Sequence, residues 1–329
     1  MKIGIIGDGG WGTAIGMLLD GYGHNVTIWG PFEDYINQVR ERGENFNYLA
    51  GVKFSANVNW TADCEEAVKD AGIIVLASPS KFYRGVCEKF AGLIPSTTPI
   101  VSLTKGFCEK THLRMSEIAK EVLGNRNVVV LSGPSHAEEV ARKIPTAVVA
   151  ASANEILAAM VQRLFSGPRF RVYTSSDALG VEIGGAVKNV IAISVGASDG
   201  LGFGDNTRAA LITRGLSEMT KLGIAMGAQA ETFCGLSGMG DLIVTCTSEH
   251  SRNHFVGRHL GQGESIDSIL SKMKMVAEGV WNARIIQSLA SEYGTEMPIC
   301  DTVYRLCYEN AKAAEEVAAL MSRDMKSEK

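Results

Sequence analysis

One lysine stands in surroundings where charged side chains are rare. Lys188 lies in the apolar stretch GGAVKNVIAISVG, and it is the only cation between Arg171 and Arg208. Burial and neighbouring cations lower the pKa of a lysine, so this amine could serve as a general acid or base near neutral pH. The other interpretation is that the flexible side chain reaches the surface or forms one structural salt bridge. The residues around Lys188 leave both interpretations open.

Two further positions carry groups suited to binding an anion. Lys105 follows a short apolar run and precedes a glycine. An ammonium group there could bind phosphate or polarise a carbonyl, although such a lysine taken alone is more often a solvated charge. Ser251, Arg252 and Asn253 stand at an apparent helix start. An arginine combined with the free amides of a helix N-terminus is a good clamp for a phosphate or another monoanion.

Histidines near this segment raise the question of a metal site. His250, His254 and His259 lie close to Glu249, but only the first two histidines have the i, i+4 spacing that places side chains on one helix face. No third ligand pattern is evident. We therefore expect no bound metal ion.

The elements that must position these groups begin with a glycine-rich turn. The apolar run Lys2–Ile6 predicts a strand, the glycines Gly7, Gly9 and Gly12 follow in the order GxGxxG, and residues 13–19 continue as a helix. Gly7 allows the tight turn, Gly9 lets a pyrophosphate approach the backbone, and Gly12 lets the helix pack closely on the strand. A second predicted strand, Asn25–Trp29, completes a βαβ unit. This arrangement predicts dinucleotide binding rather than a purely structural turn.

The residues after the second strand bear on the choice between NAD and NADP. A Rossmann unit presents there an acid that binds the free ribose hydroxyl, or a basic residue that binds a 2′-phosphate. This chain has Pro31 followed by Phe32, Glu33 and Asp34, with no basic residue before Arg40. The segment therefore favours NAD, although the two acids could equally be a solvated helix start.

Four predicted strands end in polar loops. Besides the first strand, they are the apolar runs 73–77, 100–103 and 128–131. Because the carboxyl ends of parallel strands meet at one edge of a sheet, we expect their loops to converge on a ligand. A helix over 61–72 leads into the second of these strands. The loops are Ser78-Pro79-Ser80, Thr104-Lys105-Gly106 and the segment from Ser132 to His136, which precedes a helix carrying Glu138 and Glu139.

A change of pattern near residue 175 divides the chain. Residues 147–151, 154–165 and 170–173 read as strand, helix and strand, after which long helical segments rich in small and apolar residues take over. We predict an α/β fold with an N-terminal Rossmann-type doubly wound sheet over 1–175 and an all-helical C-terminal domain over 176–329. The first helix of the second domain should begin at Ser176 or Asp177 and carry Lys188.

Composition excludes several classes of protein. The 329 residues are 46% apolar and 21% charged with a formal net charge of -4, and no basic stripe suited to nucleic acid is present. The sequence contains no uninterrupted apolar run of about 18 residues, so it does not predict a membrane-spanning helix. The first residues form a strand rather than a secretory signal. The seven cysteines lack CxxC spacing, which favours reduced, mostly buried thiols in a cytoplasmic protein.

Five ordered stretches together resemble one family, the bacterial-type NAD(P)-dependent glycerol-3-phosphate dehydrogenases. They are GDGGWGTA at 7–14, SLTKGF at 102–107, SGPSHAEEV at 132–140, EIGGAVKNVIAI at 182–193 and GMGDLIVTCTSEHSRN at 238–253. The resemblance implies a reversible reduction of dihydroxyacetone phosphate to sn-glycerol 3-phosphate, which supplies phospholipid synthesis. It further implies NAD or NADP as cofactor, a small phosphate ester as substrate, and a homodimer.

The resemblance also assigns roles to residues. Lys188 would exchange the proton with the substrate oxygen, Lys105 would contact cofactor and substrate, and Asp241 would hold the Lys188 ammonium in place, so that these three are the implied catalytic residues. The implied substrate-binding residues are Lys105, Gly133, Ser135, Lys188, Asp241, Ser251, Arg252 and Asn253. The implied cofactor-binding residues, including the glycines of the turn, are Gly7, Gly9, Gly10, Trp11, Gly12, Lys105, Ala137, Arg252, Val276 and Glu278.

Members of the family often carry a basic residue where this chain has Pro31, so we expect NAD(H) to be preferred.

The resemblance leaves two other functions open. A related 3-hydroxyacid dehydrogenase would share the architecture, but the segment from Asp241 to Asn253 favours a phosphate ester over a carboxylate. A cofactor-binding regulator without catalysis is the alternative from another class, and the intact Lys105 and Lys188 argue against it.

Overall fold

An eight-stranded sheet organises the first half of the chain. The computed structural model describes residues 1–124, 127–273, 275–325 and 327. The strands, in chain order, are Lys2–Ile6 (β1), Asn25–Trp29 (β2), Asn59–Thr61 (β3), Ile73–Leu76 (β4), Ile100–Ser102 (β5), Val128–Ser132 (β6), Thr146–Ala151 (β7) and Phe170–Ser175 (β8).

The strand order is β3-β2-β1-β4-β5-β6-β7-β8. Strands β1 to β6 pair in parallel, so β1, β4, β5 and β6 are consecutive neighbours and their carboxyl ends lie side by side. This confirms the expected convergence of the four polar loops. Strand β7 runs antiparallel to β6 and parallel to β8, a reversal that the sequence pattern did not predict.

Helices cover both faces of the sheet and then form the second half of the chain. Those of the sheet region are Gly10–Gly21 (α1), Glu33–Arg42 (α2), Cys64–Val68 (α3), Ser80–Phe90 (α4), Met115–Leu123 (α5), Ala137–Ala141 (α6) and Glu155–Phe165 (α7). Those that follow are Ala178–Gly200 (α8), Asp205–Ala225 (α9), Ala230–Phe233 (α10), Asp241–Thr247 (α11), Arg252–Gly261 (α12), Ile266–Ser271 (α13), Glu278–Glu292 (α14), Pro298–Tyr308 (α15) and Ala313–Met321 (α16). A single π-helical turn, Leu236–Gly240, precedes α11.

Alternating side chains along the strands build the two faces of the sheet. In β4, Ile73 and Val75 belong to one apolar cluster, whereas Ile74 and Leu76 belong to another. Successive side chains of a strand point to opposite faces, so the sheet has a buried face on each side. The predicted doubly wound architecture with a helical second region is confirmed.

The predicted helix over 61–72 is too long. Thr61 closes strand β3, and only Cys64–Val68 is helical. The side chain of Asp63 accepts hydrogen bonds from the backbone of Glu65 and Glu66, which fixes the helix start after the strand. The propensities around this segment are shared between strand and helix, and pairing of β3 with β2 decides the boundary.

Helix α8 is the centre of the helical region. The side chain of Asp177 caps it, in agreement with a predicted start at Ser176 or Asp177. Its length and apolar composition match a membrane-spanning helix, but 89% of its most apolar 18-residue window is buried inside the protein. Helices α9, α11, α12, α14 and α15 pack around it. Because protein surrounds it, α8 is mostly apolar, and two of its few charged side chains, Lys188 and Glu182, are buried.

Candidate active site

Lys188, Asp241 and Lys105 form one hydrogen-bonded group. The Nζ atom of Lys188 lies 2.5 Å from Oδ1 of Asp241, and the Nζ atom of Lys105 lies 2.6 Å from Oδ2 of the same carboxylate. Asp241 is 1% exposed and Lys188 is 6% exposed. One buried carboxylate therefore neutralises part of the charge of two ammonium groups. Such a pair of cations held close together is suited to a substrate that carries negative charge.

Each member of this group comes from a different part of the fold. Lys188 is on α8, Asp241 is the first residue of α11 after the π-helical turn, and Lys105 follows the carboxyl end of β5. Glycine at position 184 lets α8 pack closely on the π-helical turn before α11. A Cβ atom there would lie only 2.6 Å from the carbonyl oxygen of Ser237. The tertiary structure thus brings the two lysines to the edge of the sheet where the polar loops meet.

Burial sets the proton affinity of Lys188. Desolvation lowers the pKa of its amine to about 8, with Asp241 opposing the change and the positive charge of Lys105 adding to it. An amine with this pKa exists in both protonation states near neutral pH. It can donate a proton in one direction of a reaction and accept one in the other.

Thr245 was not among the residues that the sequence indicated. Its hydroxyl oxygen accepts a hydrogen bond from Nζ of Lys188 at 2.6 Å, and the hydroxyl in turn donates to the carbonyl of Asp241 at 2.6 Å. The two residues are four apart on α11, a spacing that places them on one helix face. This spacing is the feature of the sequence from which the contact of Thr245 with Lys188 could have been predicted. With Thr245 and Asp241 as acceptors, the Lys188 ammonium group has a fixed orientation.

The loop after β6 contacts Lys105 directly. Nζ of Lys105 donates to the carbonyl oxygen of Gly133 at 3.1 Å, and the hydroxyl of Ser135 donates to the same oxygen at 2.9 Å. Gly133 has a φ of +143°, and a Cβ there would lie 3.0 Å from Cα of Val148. The residues predicted in this loop are therefore placed beside Lys105.

The segment Ser251 to Asn253 forms the start of α12, as predicted. The Oγ atom of Ser251 accepts from the backbone of His254 at 3.2 Å and so caps the helix. The side chain of Asn253 is buried and bridges α8 and α14, because it donates to Asn189 at 2.8 Å and accepts from the backbone of Gly279 at 2.9 Å. Arg252 is exposed. The exposed guanidinium of Arg252 can contact a ligand from solvent, whereas the buried side chain of Asn253 holds the helix start in place.

The glycine turn has room for a ligand. A Cβ atom added at Gly9 would meet no other heavy atom within 4 Å, whereas one at Gly12 would lie 2.2 Å from the carbonyl oxygen of Gly7. Helix α1 has no side-chain cap at Gly9, so no capping side chain occupies the first backbone amides of the helix. Gly7 has a φ of +127°. The turn therefore fits a pyrophosphate at the helix N-terminus.

Other predicted cofactor residues border this turn. A Cβ at Gly10 would lie 2.4 Å from the carbonyl oxygen of Tyr48 and 3.6 Å from Cβ of Ala137, which places the start of α6 against the turn. Trp11 is partly buried and packs on the apolar cluster beneath the turn. Only glycine fits at position 10, because a side chain there would collide with the backbone of Tyr48.

Arg252, Val276 and Glu278 form a second group at the carboxyl end of β4. The Glu278 carboxylate accepts hydrogen bonds from the backbone, at 2.9 Å, and from the hydroxyl of Ser80, the first residue of α4. Arg252 donates to the carbonyl oxygen of Val276 at 2.9 Å. Burial raises the pKa of Glu278, and the bonds from Ser80 and the charge of Arg252 oppose that rise. These contacts place part of the predicted cofactor set over the loop that follows β4.

The histidines near α12 pair with carboxylates. His254 Nε2 lies 2.8 Å from Asp199, and His259 Nδ1 lies 2.6 Å from Glu264. Within the described ranges, no group of three or more His, Cys, Asp or Glu side chains could hold a metal ion. Helix α12 is thus tied to α8 through an imidazole and carboxylate pair.

The fold and the site define a class of two-part, Rossmann-fold nucleotide-binding proteins. A glycine turn opens the first helix of the sheet, and a lysine buried in the helical region reaches the end of β5 through Asp241. The chain belongs to the NAD-dependent glycerol-3-phosphate dehydrogenase family. Residues 2–158 match the N-terminal part of the family and residues 177–318 match its C-terminal part. The family predicted from the sequence is confirmed.

Individual relatives agree with this assignment over the full length. The glycerol-3-phosphate dehydrogenase [NAD(P)+] of Trichlorobacter lovleyi is 48% identical, covering 100% of this chain and 99% of the relative. That of Agathobacter rectalis is 46% identical, with coverage of 99% and 97%. The solved structure of the Coxiella burnetii glycerol-3-phosphate dehydrogenase superposes with a TM-score of 0.94 at 37% identity, covering 98% of this chain and 99% of that chain.

Proposed function

We propose that this protein interconverts dihydroxyacetone phosphate and sn-glycerol 3-phosphate with NAD(H) or NADP(H). The observation that carries the proposal is the buried Lys188, whose ammonium group shares the Asp241 carboxylate with Lys105 beside the converging loops. Membership of the family and the names of the relatives support the choice of substrate. We further propose that residues 1–175 bind the dinucleotide and that residues 176–329 supply most of the substrate site.

Lys188 moves the proton in the proposed mechanism. When bound, the reduced nicotinamide supplies a hydride to the carbonyl carbon. As negative charge develops on the carbonyl oxygen, the Lys188 ammonium donates a proton to it; in the reverse direction the neutral amine accepts the proton of the hydroxyl. Asp241 and Thr245 orient the amine. Lys105 adds a second positive charge next to the reacting oxygen.

The remote phosphate positions the ketone. We assign its binding to the start of α12, where Arg252 is exposed and a helix N-terminus favours an anion. Asn253 contributes its backbone and remaining amide hydrogen, because its side-chain oxygen already accepts from Gly279. Gly133 and Ser135 border the substrate next to Lys105. A fixed phosphate lowers the entropic cost of aligning the carbonyl with its reaction partners.

The residues that would hold the dinucleotide come from both the sheet region and the helical region. The pyrophosphate would lie on the turn from Gly7 to Gly12, which has the open space above Gly9. The remaining contacts come from Lys105, Ala137, Arg252, Val276 and Glu278. We propose NAD(H) as the preferred form.

The direct test is the initial rate of nicotinamide oxidation with dihydroxyacetone phosphate. NADH and NADPH are compared in parallel, and 3-oxobutanoate serves as the control for a hydroxyacid dehydrogenase. We expect turnover on the phosphate substrate only, with a higher kcat/KM for NADH. Turnover on the oxoacid alone would support the hydroxyacid function instead.

Lys188→Ala separates an enzyme from a cofactor-binding regulator. We expect kcat to fall by about 10²–10⁴-fold because the proton donor is lost. The affinity for NADH, measured by fluorescence titration, should stay the same. Lys221→Ala removes an exposed lysine of α9 and should leave both quantities unchanged. A kcat of Lys188→Ala equal to that of the wild type would contradict the proposed role.

We also propose the cellular setting that the family resemblance implies. The product would supply phospholipid synthesis, and the protein would act in the cytoplasm as a homodimer. Free cysteines, four of them buried among the seven, are compatible with a reducing compartment.

A further inference from the structure

Asp8 occupies an unusual place in the glycine turn. It is the residue between Gly7 and Gly9, and its carboxylate packs on Gly30, the residue that follows β2. A Cβ atom at Gly30 would lie 2.5 Å from Oδ2 of Asp8 and 2.6 Å from its Cγ. The carboxylate fits there only because position 30 has no side chain. It thus reaches, from the turn, the place where a Rossmann unit presents the group that binds the adenosine ribose.

The Asp8 carboxylate has an unused acceptor. Its Oδ2 atom is buried, and no donor in the described ranges forms a hydrogen bond with it. The side-chain amide of Asn45 binds the backbone carbonyl of Asp8 at 2.7 Å rather than the carboxylate. Burial raises the pKa of Asp8 to about 6, so the group is mostly ionised above pH 7. A buried carboxylate oxygen without a donor lowers the stability of the protein.

Among the described residues, those that interact electrostatically with the Asp8 carboxylate carry no positive charge. Burial raises the pKa of Tyr48, and the nearby Asp8 carboxylate adds to the rise, so this side of Asp8 faces neutral phenols. The guanidinium of Arg40 donates to the carbonyl oxygen of Trp60 at 2.8 Å. Glu33 and Asp34, the two acids that follow β2 in the chain, are exposed in the first turn of α2.

We propose that Asp8 accepts a hydrogen bond from the free 2′-hydroxyl of the adenosine ribose and excludes a 2′-phosphate. This assignment rests on the proposed dinucleotide function. An acceptor-only carboxylate discriminates between the two cofactors twice, because it binds a hydroxyl donor and repels a phosphate dianion. Asp8 is therefore the residue that makes the site selective for NAD(H).

Equilibrium binding of NADH and NADPH tests the proposal without relying on turnover. Dissociation constants are measured by fluorescence titration for the wild type, Asp8→Asn and Asp8→Ala. We expect the wild type to favour NADH and both variants to narrow that preference by about tenfold or more, since a hydrogen bond to a charged group is lost together with the repulsion. Glu41→Gln, which removes an exposed carboxylate from α2, is the matched control and should keep the wild-type preference.

A thermal melt of the free protein provides a second readout. Asp8→Asn should raise the Tm, because it removes an ionised buried group that lacks a donor. The assignment would be overturned if both variants kept the wild-type ratio of the two dissociation constants, or if they lost affinity for NADH and NADPH equally. A wild type that binds NADPH more tightly than NADH would also overturn it. If the wild type discriminates through Asp8 but does not turn over dihydroxyacetone phosphate, the proposed reaction fails while this inference stands. If the protein turns over dihydroxyacetone phosphate but the variants keep the wild-type cofactor preference, the proposed reaction stands and this inference fails.

Discussion

A single carboxylate, that of Asp241, forms ion pairs with both lysines of the site. Asp241 contacts both Nζ atoms, and its side chain is buried. In water such ion pairs contribute little, but inside a protein a lysine that loses its counter-charge readily gives up its proton. The pH dependence of the reaction should therefore depend on Asp241.

Asp241→Asn should shift the pH profile of ketone reduction. Lys188 must be protonated to act as the acid, so the wild-type kcat/KM should be constant below about pH 8 and fall above it. The reverse oxidation should rise through the same pH, because it needs the neutral amine. The substitution removes the carboxylate that favours the charged form of the Lys188 amine. The pH above which the rate of ketone reduction falls should therefore decrease by about one pH unit or more.

The profiles are measured from initial rates in both directions. Asp267→Asn makes the same chemical change at an exposed position of α13 and should leave the profile in place. A reduced rate with an unmoved alkaline limb would mean that Asp241 acts on something other than the proton affinity of Lys188.

At the scale of elements, glycines let α8 and α12 approach each other. A Cβ atom at Gly196 of α8 would lie 2.2 Å from the carbonyl oxygen of His254, and one at Gly257 of α12 would lie 2.0 Å from that of Ile193. Backbone atoms on both sides cannot turn away as a side chain could. The close packing fixes the start of α12, with Arg252, relative to the helix that carries Lys188.

Gly257→Ala should therefore affect stability and substrate binding together. We expect the free energy of unfolding, measured in urea, to fall by about 1–3 kcal/mol from overpacking. The KM for the phosphate substrate should rise because α12 moves outward. Gly85→Ala, in an exposed turn of α4 with no heavy atom near the added Cβ, should be neutral or stabilise by up to about 1 kcal/mol. Equal results for the two alanines would contradict the packing argument.

At the scale of the whole molecule, buried polar contacts connect the sheet to the helical region. Glu182 of α8 accepts from the guanidinium of Arg114 at 2.7 Å and from the backbone of Ser116 at 2.8 Å, both near the start of α5. Lys105 with Asp241 and Ser80 with Glu278 make two further connections. The site is assembled from both regions, so its geometry depends on these contacts.

Arg114→Ala should destabilise the protein in a pH-dependent way. It leaves the buried Glu182 carboxylate without its cation, which costs about 3–5 kcal/mol of unfolding free energy at neutral pH. Burial already raises the pKa of Glu182, with Arg114 opposing the rise, so the variant should raise it further. The folded state then binds the additional proton, and the loss of stability should shrink as the pH falls through that raised pKa.

Urea unfolding at several pH values measures the effect. Arg258→Ala breaks an exposed pair, 4.0 Å from Glu249, and should cost no more than about 1 kcal/mol at any pH. A deficit of Arg114→Ala that does not change with pH would show that lost packing, rather than the buried charge, is responsible.

The sequence by itself determined the local features of this protein. The glycine turn, the apolar helix around Lys188, the start of α12 at Ser251 and the capping Asp177 each depend on residues close together in the chain. Periodicity, capping and turn chemistry act over a few residues, so they can be read without a structure. The family resemblance then supplied roles that no local pattern contains.

Only the tertiary structure decided which distant groups meet. Lys105 and Asp241 are 136 residues apart, and Lys188 and Asp241 are 53 apart, so no periodicity relates them. The reversal of β7, the strand boundary at Thr61 and the packing of Asp8 on Gly30 likewise depend on strand pairing and packing between elements. Such contacts form because burial and hydrogen bonding favour them over the whole fold, which overrides the weaker local preferences of each segment.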